Sequence, residues 1–188
     1  MNELLETAKE IEYLCGERGW KFCFIGGLAL QRWGELRVTK DVDLTLLTGF
    51  GHEEDFISAL LKKFQPRRAD AMEFAIRQRV LLLVSKNRVG IDIAMGALPY
   101  EEDAIGRATR FEYSLGYSLT TCSAEDLVVM KGFAARPRDW EDIKGVLIRQ
   151  GRNLDRTYIR RQLKPLADLK EAPEIMQTLE ALFTRHTT

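Results

Sequence analysis

Apolar positions recur along the first two-thirds of the chain at two spacings, and the spacings define the elements. Leu4, Leu5, Ala8, Ile11, Leu14 and Cys15 fall at helical intervals between about Glu3 and Glu17, predicting an amphipathic helix that Gly16 and Gly19 break. Lys21 to Ile25 reads as a short apolar strand ending in Gly26-Gly27, and Leu28 to Trp33 as a helix stopped by Gly34. From Asp41 to Leu47 the pattern changes to strict alternation. Asp41, Asp43 and Thr45 are set against Val42, Leu44 and Leu46, predicting a strand with one polar face. A helix over Phe56 to Phe64 and a buried strand within Arg79 to Ser85 follow. The turn Lys86-Asn87-Arg88 then leads into an antiparallel partner at Val89 to Ala94. Phe111 to Ser114 and Tyr117 to Thr120 flank Gly116 as a further hairpin.

From Ser123 the character is helical. Ser123-Ala124-Glu125-Asp126 has the form of a capping box opening a helix through about Ala134. Pro137 starts a second helix to about Gln150, Leu154 to Leu163 suggests a third and Glu174 to Thr184 a last. The expected organisation is an α/β core over residues 1–121 and a helical region over 122–188. This is an α+β fold: a mixed sheet with helices, followed by a small helical region. At 188 residues the chain is long enough to bury such a core.

Composition narrows the chemistry. Lys+Arg and Asp+Glu balance at 28 each, so any footprint for a polyanion must be local. Cys15, Cys23 and Cys122 lack CxxC spacing, and His52 and His186 lie far apart, which excludes most zinc and serine-hydrolase chemistry. A metal, if present, would be held by oxygens, pointing to magnesium or manganese. The acidic start Met1-Asn2-Glu3-Leu4-Leu5-Glu6 is unlike a signal peptide, and no apolar run approaches the roughly 20 residues of a membrane span, so a cytoplasmic protein is expected.

The informative stretch runs from Gly26 to Leu44. Paired glycines between a strand and a helix let a triphosphate approach the backbone, and the helix start offers N–H donors. Asp41 and Asp43, at i and i+2 on a strand, project from one face, where they can share ions roughly 3.5–4 Å apart. A third carboxylate must come from a neighbouring strand, and Asp92 in Val89-Gly90-Ile91-Asp92-Ile93-Ala94 is a lone acid in an apolar run. Each element alone has a plainer reading: a turn for the glycines, a turn cap or an Arg37 partner for the acids. The combination points to a site for phosphoryl chemistry.

The same stretch resembles the signature of the polymerase-β-type nucleotidyltransferase superfamily. More narrowly, Gly26-Gly27-x-Ala29-Leu30, Gly34 and Arg37-x-Thr39-x-Asp41-x-Asp43-Leu44 resemble the AbiEii-type branch, which includes toxins of toxin–antitoxin pairs. Glu125-Asp126-Leu127-x-x-x-Lys131 and Arg138-Asp139-x-x-Asp142-Ile143 are similar to its helical half. The resemblance implies a polymerase-β-like fold. It implies that Gly26 and Gly27 line a nucleoside triphosphate, that Asp41, Asp43 and Asp92 hold two Mg2+ (or Mn2+) ions, and that Lys131 reaches the phosphates with Asp139 in support. The wider superfamily commonly has Gly-Ser where this chain has Gly26-Gly27, so a hydroxyl contact to phosphate is missing. Arg37 and Thr39 read as fixing the loop before the acids. On chemistry alone Lys131 is also consistent with a snorkelling surface lysine, and Asp139 and Asp142 with first-turn acids complementing a helix dipole.

The implied reaction moves a nucleoside monophosphate to an acceptor hydroxyl. The first candidate acceptor is the 3′ end of tRNA, as in a toxin with an antitoxin partner. Arg149, Arg152, Arg156, Arg160, Arg161 and Lys164 would form a basic ridge on a continuous helix, or else an ordinary solvated face. Arg67-Arg68 with Arg77 and Arg79 is a second cationic cluster, and Trp33, Trp140 and Tyr158 are aromatics of a kind that stack bases, Trp33 reading as core. A small aminoglycoside-type acceptor is the second candidate, with Glu101-Glu102-Asp103 as pocket acids. Transfer to a protein side chain is a third, and a non-catalytic nucleotide-binding or antitoxin-binding module is the rival from another class.

Overall fold

The computed structural model describes residues 2–186. Among them, seven strands form one mixed sheet: β1 (Phe22–Phe24), β2 (Asp41–Leu47), β3 (Gln65–Pro66), β4 (Val80–Val84), β5 (Gly90–Gly96), β6 (Thr109–Ser114) and β7 (Tyr117–Thr121). Their order across the sheet is β3-β4-β5-β2-β1-β7-β6. β2 runs parallel to β5, and β1 to β7, while the other neighbours are antiparallel.

Alternation along the strands separates two faces. Val42, Leu44 and Leu46 of β2, Ile91 and Ile93 of β5, and Leu81 and Leu83 of β4 are all fully buried. Asp43, Leu82, Val84 and Asp92, which alternate with them, stay half-exposed. Helix α1 (Asn2–Glu17) lays Leu4, Leu5, Ala8, Ile11, Leu14 and Cys15 into the core on the buried face. After the short α2 (Gly26–Trp33), helices α3 (Glu53–Leu61) and α4 (Ala71–Gln78) add Ile57, Leu60, Ala71 and Ala75 to the same core. Burial pushes the Cys15 thiol up to about 12, with Glu12 adding to the shift, so it packs as an inert apolar group.

The chain forms two compact units. The first comprises residues up to Leu28 together with Val38–Cys122, and so holds the whole sheet with α5 (Pro99–Gly106); the second comprises Ala29–Arg37 and everything from Ser123 on. In the second unit, α6 (Ala124–Ala134) buries Leu127, Val128, Val129 and Gly132, so apolar positions occur around its whole circumference and mark it as a central helix. Ile143, Val146 and Leu147 of α7 (Pro137–Gln150), Ile159, Leu163 and Ala167 of α8 (Arg156–Leu169), and Leu179 and Phe183 of α9 (Glu174–Arg185) complete that unit's core. Ser123 Oγ accepts from the Asp126 N–H at 3.1 Å and caps α6, as its sequence predicts.

The expected strands and most helices are present, and the departures have physical causes. α3 begins at Glu53 rather than Phe56, because Glu53, Glu54 and Asp55 suit the positive end of a helix dipole. α4 and α5 escape a reading by periodicity, since their buried positions are alanines (Ala71 and Ala75, then Ala104) that scarcely register as apolar. α8 continues through Pro165 to Leu169 instead of ending at Leu163, held by burial of Leu163 and Ala167 on either side. β3 has only two residues, too few to show a period.

Leu44 is fully buried in the centre of the sheet, paired with Phe24 on one side and Ile93 on the other. Leu44→Ala is expected to lower the unfolding free energy by about 2–5 kcal/mol through lost burial and a residual cavity. Urea denaturation would show this as a lower midpoint at unchanged m-value, and an unmoved midpoint would contradict this assignment of the core.

Candidate active site

Register decides which polar side chains meet on the half-exposed face of the first unit. β2 and β5 pair in parallel with Asp43 directly opposite Asp92 and Asp41 opposite Gly90. β4 sets Leu82 opposite Asp92 on the other side. Beyond it, the Arg67 N–H donates to the Leu82 carbonyl at 3.0 Å, extending the β3 ladder by one residue. A row Arg67, Leu82, Asp92, Asp43 therefore crosses four strands. Members of such a row project from one face. Arg67 reaches over Leu82 to ion-pair with Asp92 Oδ1, with both side chains partly solvent-exposed.

The start of α2 closes on the same acids. Gly26 has φ +54°, and a Cβ there would collide with the Asp43 carboxylate, so only glycine allows the approach. The Gly27 N–H donates to Asp43 Oδ2 at 3.4 Å, which places a first-turn amide of the helix against a carboxylate. Thr39 Oγ1 donates to the Asp41 carbonyl at 3.2 Å and fixes the entry to β2. Gly90 leaves the space that the Asp41 carboxylate fills, since a Cβ there would overlap it. Burial pushes the Asp92 carboxyl above its ordinary range; the Arg67 charge opposes the shift and the like charge of Asp41 adds to it.

Lys131, Asp139 and Arg37 come together separately, in the second unit. Lys131 is buried, its Nζ 3.2 Å from Asp139 Oδ1 and 2.5 Å from Asp142 Oδ2. Arg37 approaches Asp142 from another side, Nε to Oδ1 at 3.3 Å, and Arg136 Nε donates to Asp139 Oδ2 at 2.6 Å. Three cations thus surround two buried carboxylates. The snorkelling alternative for Lys131 is overturned: an ammonium is buried here because two carboxylates neutralise it. Asp142 belongs to the cluster as fully as Asp139, which no reading of its position as a first-turn acid reveals.

The acceptor features fare differently. The basic ridge is not continuous. α7 ends at Gln150, a 3-10 turn covers Gly151–Asn153, and α8 begins at Arg156. Four of its six cations are also engaged: Arg149 on the Gly34 carbonyl, Arg156 on the Phe183 and His186 carbonyls, Arg160 on Glu180 and Lys164 on Asp168. Tyr158 is buried with its hydroxyl donating to Asp126 at 2.7 Å, so it does not offer a face for a base. Trp33 is half-buried rather than core, with Arg32 over its ring. Glu101 accepts from the Ala97 and Leu98 amides at the start of α5, and Glu102 pairs with Lys21. Of the second cationic cluster, Arg68 pairs with Asp70 and Arg79 with Glu53 and the Met95 carbonyl, which leaves Arg67 as the member that meets the acids.

The donor set suits a hard divalent cation. Asp41, Asp43 and Asp92 offer only anionic oxygens from adjacent strand rows, and a guanidinium already stands against Asp92 as a resident positive charge. Among the described residues, no three Asp, Glu, His or Cys side chains converge closely enough to chelate one ion together, so loading an ion requires side-chain rotation. No helix among those residues is long and apolar enough to cross a membrane.

Residues 15–184 match the profile of a family described as nucleotidyl transferase AbiEii toxin, type IV TA system. No curated protein sequence matches the chain. The fold is similar to that of an antigenic nucleotidyltransferase-like protein from Paracoccidioides brasiliensis, at 15% identity and a TM-score of 0.53, with 96% of this chain and 93% of that chain covered. It is also similar to the solution structure of the antibiotic-resistance factor ANT(2'')-Ia, at 16% identity and a TM-score of 0.56, with 94% and 97% covered. At these identities the likeness establishes the fold, that of the polymerase-β-like nucleotidyltransferases.

The buried ion cluster of the second unit makes a separate prediction. Burial pushes the Asp139 carboxyl up, but the Arg136 hydrogen bond and the Lys131 charge outweigh it and hold it below its ordinary value of 3.8. Its contribution to stability is therefore complete above that value and is lost as pH falls through the lower folded one. Asp139→Asn should be less stable at neutral pH and should show a shallower acid loss. Lys131→Met removes the buried cation between two carboxylates and leaves them only Arg37 and Arg136, and should lose up to about 3–5 kcal/mol. Urea titrations at a series of pH values check both, and an acid limb unchanged in Asp139→Asn would contradict the assignment.

Proposed function

Because the chain belongs to the AbiEii nucleotidyltransferase family, we propose that it moves a nucleoside monophosphate from a nucleoside triphosphate to an acceptor hydroxyl, using Mg2+ or Mn2+ held by Asp41, Asp43 and Asp92. The observation that carries this reading is the β2/β5 register, which sets Asp43 opposite Asp92 on the face where Asp41 also projects, beside the glycine-led start of α2. When bound, the ions supply charge neutralisation for the triphosphate and ease deprotonation of the acceptor.

The acceptor oxygen forms a bond to the α-phosphorus as the α–β phosphoanhydride bond breaks and pyrophosphate leaves. Asp92 takes the acceptor proton: burial raises its carboxyl above the ordinary range, and it faces solvent enough to receive a substrate. Thr39 and Gly26 hold the strand and helix termini that orient the acids. The excess of cations over carboxylates around Lys131 suits a polyphosphate, and the contact with the nucleotide that the family resemblance assigns to Lys131 and Asp139 forms part of this proposal.

The first acceptor in this proposal is the 3′ end of tRNA, with the protein acting in the cytoplasm as the toxin of a toxin–antitoxin pair. The toxin description of the family supports it. The second is a small hydroxylated molecule of the aminoglycoside type. The intramolecular pairing of Arg156, Arg160 and Lys164 favours that reading, because it breaks up the ridge that would track a phosphate backbone.

Incubating the pure protein with each labelled nucleoside triphosphate, Mg2+ and total tRNA should transfer label to tRNA. Chelating the metal, or the Asp41→Ala, Asp43→Ala double substitution, should reduce transfer by about a hundredfold or more, since several kcal/mol of charge stabilisation is removed. Transfer only to a hydroxylated antibiotic would select the second acceptor. Wild-type protein that neither binds nucleotide nor transfers it would overturn the catalytic reading and leave an interaction module of the same fold.

A further inference from the structure

Arg67 is placed against the carboxylates by a path the sequence does not advertise. It follows directly on a two-residue edge strand, and its N–H continues the ladder onto Leu82. Neighbouring strands lie about 4.8 Å apart, so β3 and β5 are separated by about 9–10 Å. An arginine reaching one way and an aspartate the other span that distance across a single intervening side chain, Leu82. The strand pattern then leaves room for the guanidinium, because Gly90 on β5 has no side chain. A Cβ built at Gly90 would lie 3.5 Å from Arg67 Nη1 and would overlap the Asp41 carboxylate. The guanidinium and the Asp41 carboxylate therefore both border the space that a side chain at Gly90 would fill, while the other guanidinium nitrogen pairs with Asp92 Oδ1.

We infer that Arg67 is a resident counterion of the carboxylate site, occupying the place between Asp41 and Asp92 that a divalent cation takes and giving way when the cation loads. This inference rests on the metal-dependent reading of the same acids. Physically, three carboxylates gathered on one sheet face repel one another, and a tethered monovalent cation relieves that repulsion in the ion-free protein. The pair is open to solvent, with side chains 34% and 37% exposed, so it is weak enough for a divalent ion to break. The tether also lowers affinity for the bare ion, because binding must first break the Arg67–Asp92 pair. An ion arriving already bound to a nucleoside triphosphate brings anionic phosphates to which the displaced guanidinium can turn. Arg67 is accordingly a positioning residue for loading. Its neighbour Arg68, turned away onto Asp70, is not.

The test measures Mn2+ alone, without nucleotide, by the loss of the free-ion electron paramagnetic resonance signal on titration with protein. Wild type is expected to bind weakly, Asp92→Asn more weakly still, and Arg67→Gln on the order of tenfold more tightly than wild type. Arg68→Gln should match wild type within about twofold, which separates the contact from general surface charge. Arg67→Lys keeps the charge without the two-pronged fork and should fall between wild type and Arg67→Gln; it serves as the readout if Arg67→Gln does not fold. Equal or weaker Mn2+ binding by Arg67→Gln, with wild type binding measurably, would overturn the counterion role and leave the proposed function standing. Absence of Mn2+ binding in wild type and in both Arg67 variants would overturn the metal-dependent reading itself.

Discussion

Seven consecutive residue pairs, from Asp41 opposite Gly90 to Leu47 opposite Gly96, tie β2 to β5, and the polar geometry of the first unit depends on that register. A slip of one residue would turn Asp43 into the core and Leu44 out of it. The register is enforced from the buried face, where Val42, Leu44, Leu46, Ile91 and Ile93 have no exposed surface to trade. Packing on one side of the sheet thus sets carboxylate geometry on the other. The chemistry proposed for the acids draws its precision from residues that never meet a substrate.

The second unit solves a different problem. α6 is apolar around its circumference and therefore central, yet it carries Asp126 and Lys131, both buried. Each has a dedicated set of partners: Asp126 accepts from the Ser123 and Tyr158 hydroxyls, and Lys131 pairs with Asp139 and Asp142 of α7. A helix that buries charge in this way accepts one arrangement of its neighbours, because any other strands an ion in an apolar interior. Arg37, which follows α2, joins Asp142 and so brings an early segment of the chain into the same network.

The two polar sites differ in how firmly they are held. Lys131, Asp139 and Asp142 are nearly closed to solvent, whereas Arg67 and Asp92 are each about one-third exposed. That contrast is the physical basis for proposing that the second pair, rather than the first, yields to an incoming ion. It also explains why cationic residues alone are a poor guide to function in this chain. Most of the arginines that looked available for a polyanion bond to carbonyls or pair with acids elsewhere in the chain.

Much of the fold was legible because it is written in local periodicity. The alternation from Asp41 to Leu47, the Ser123 cap and the Pro137 start each depend on residues a few positions apart, and the structure reproduces them. Elements whose buried positions are alanines, and a strand of two residues, left no such trace. The sequence by itself determined that Asp41 and Asp43 share a face and that Asp92 is a lone acid in an apolar strand. Only the tertiary structure decided that Asp92 stands opposite Asp43, that Arg67 reaches it over Leu82, and that Lys131 is enclosed by Asp139 and Asp142. The reason is that side-chain parity along one strand is a local property of the backbone, while partners across strands and helices are fixed by the packing of the whole core.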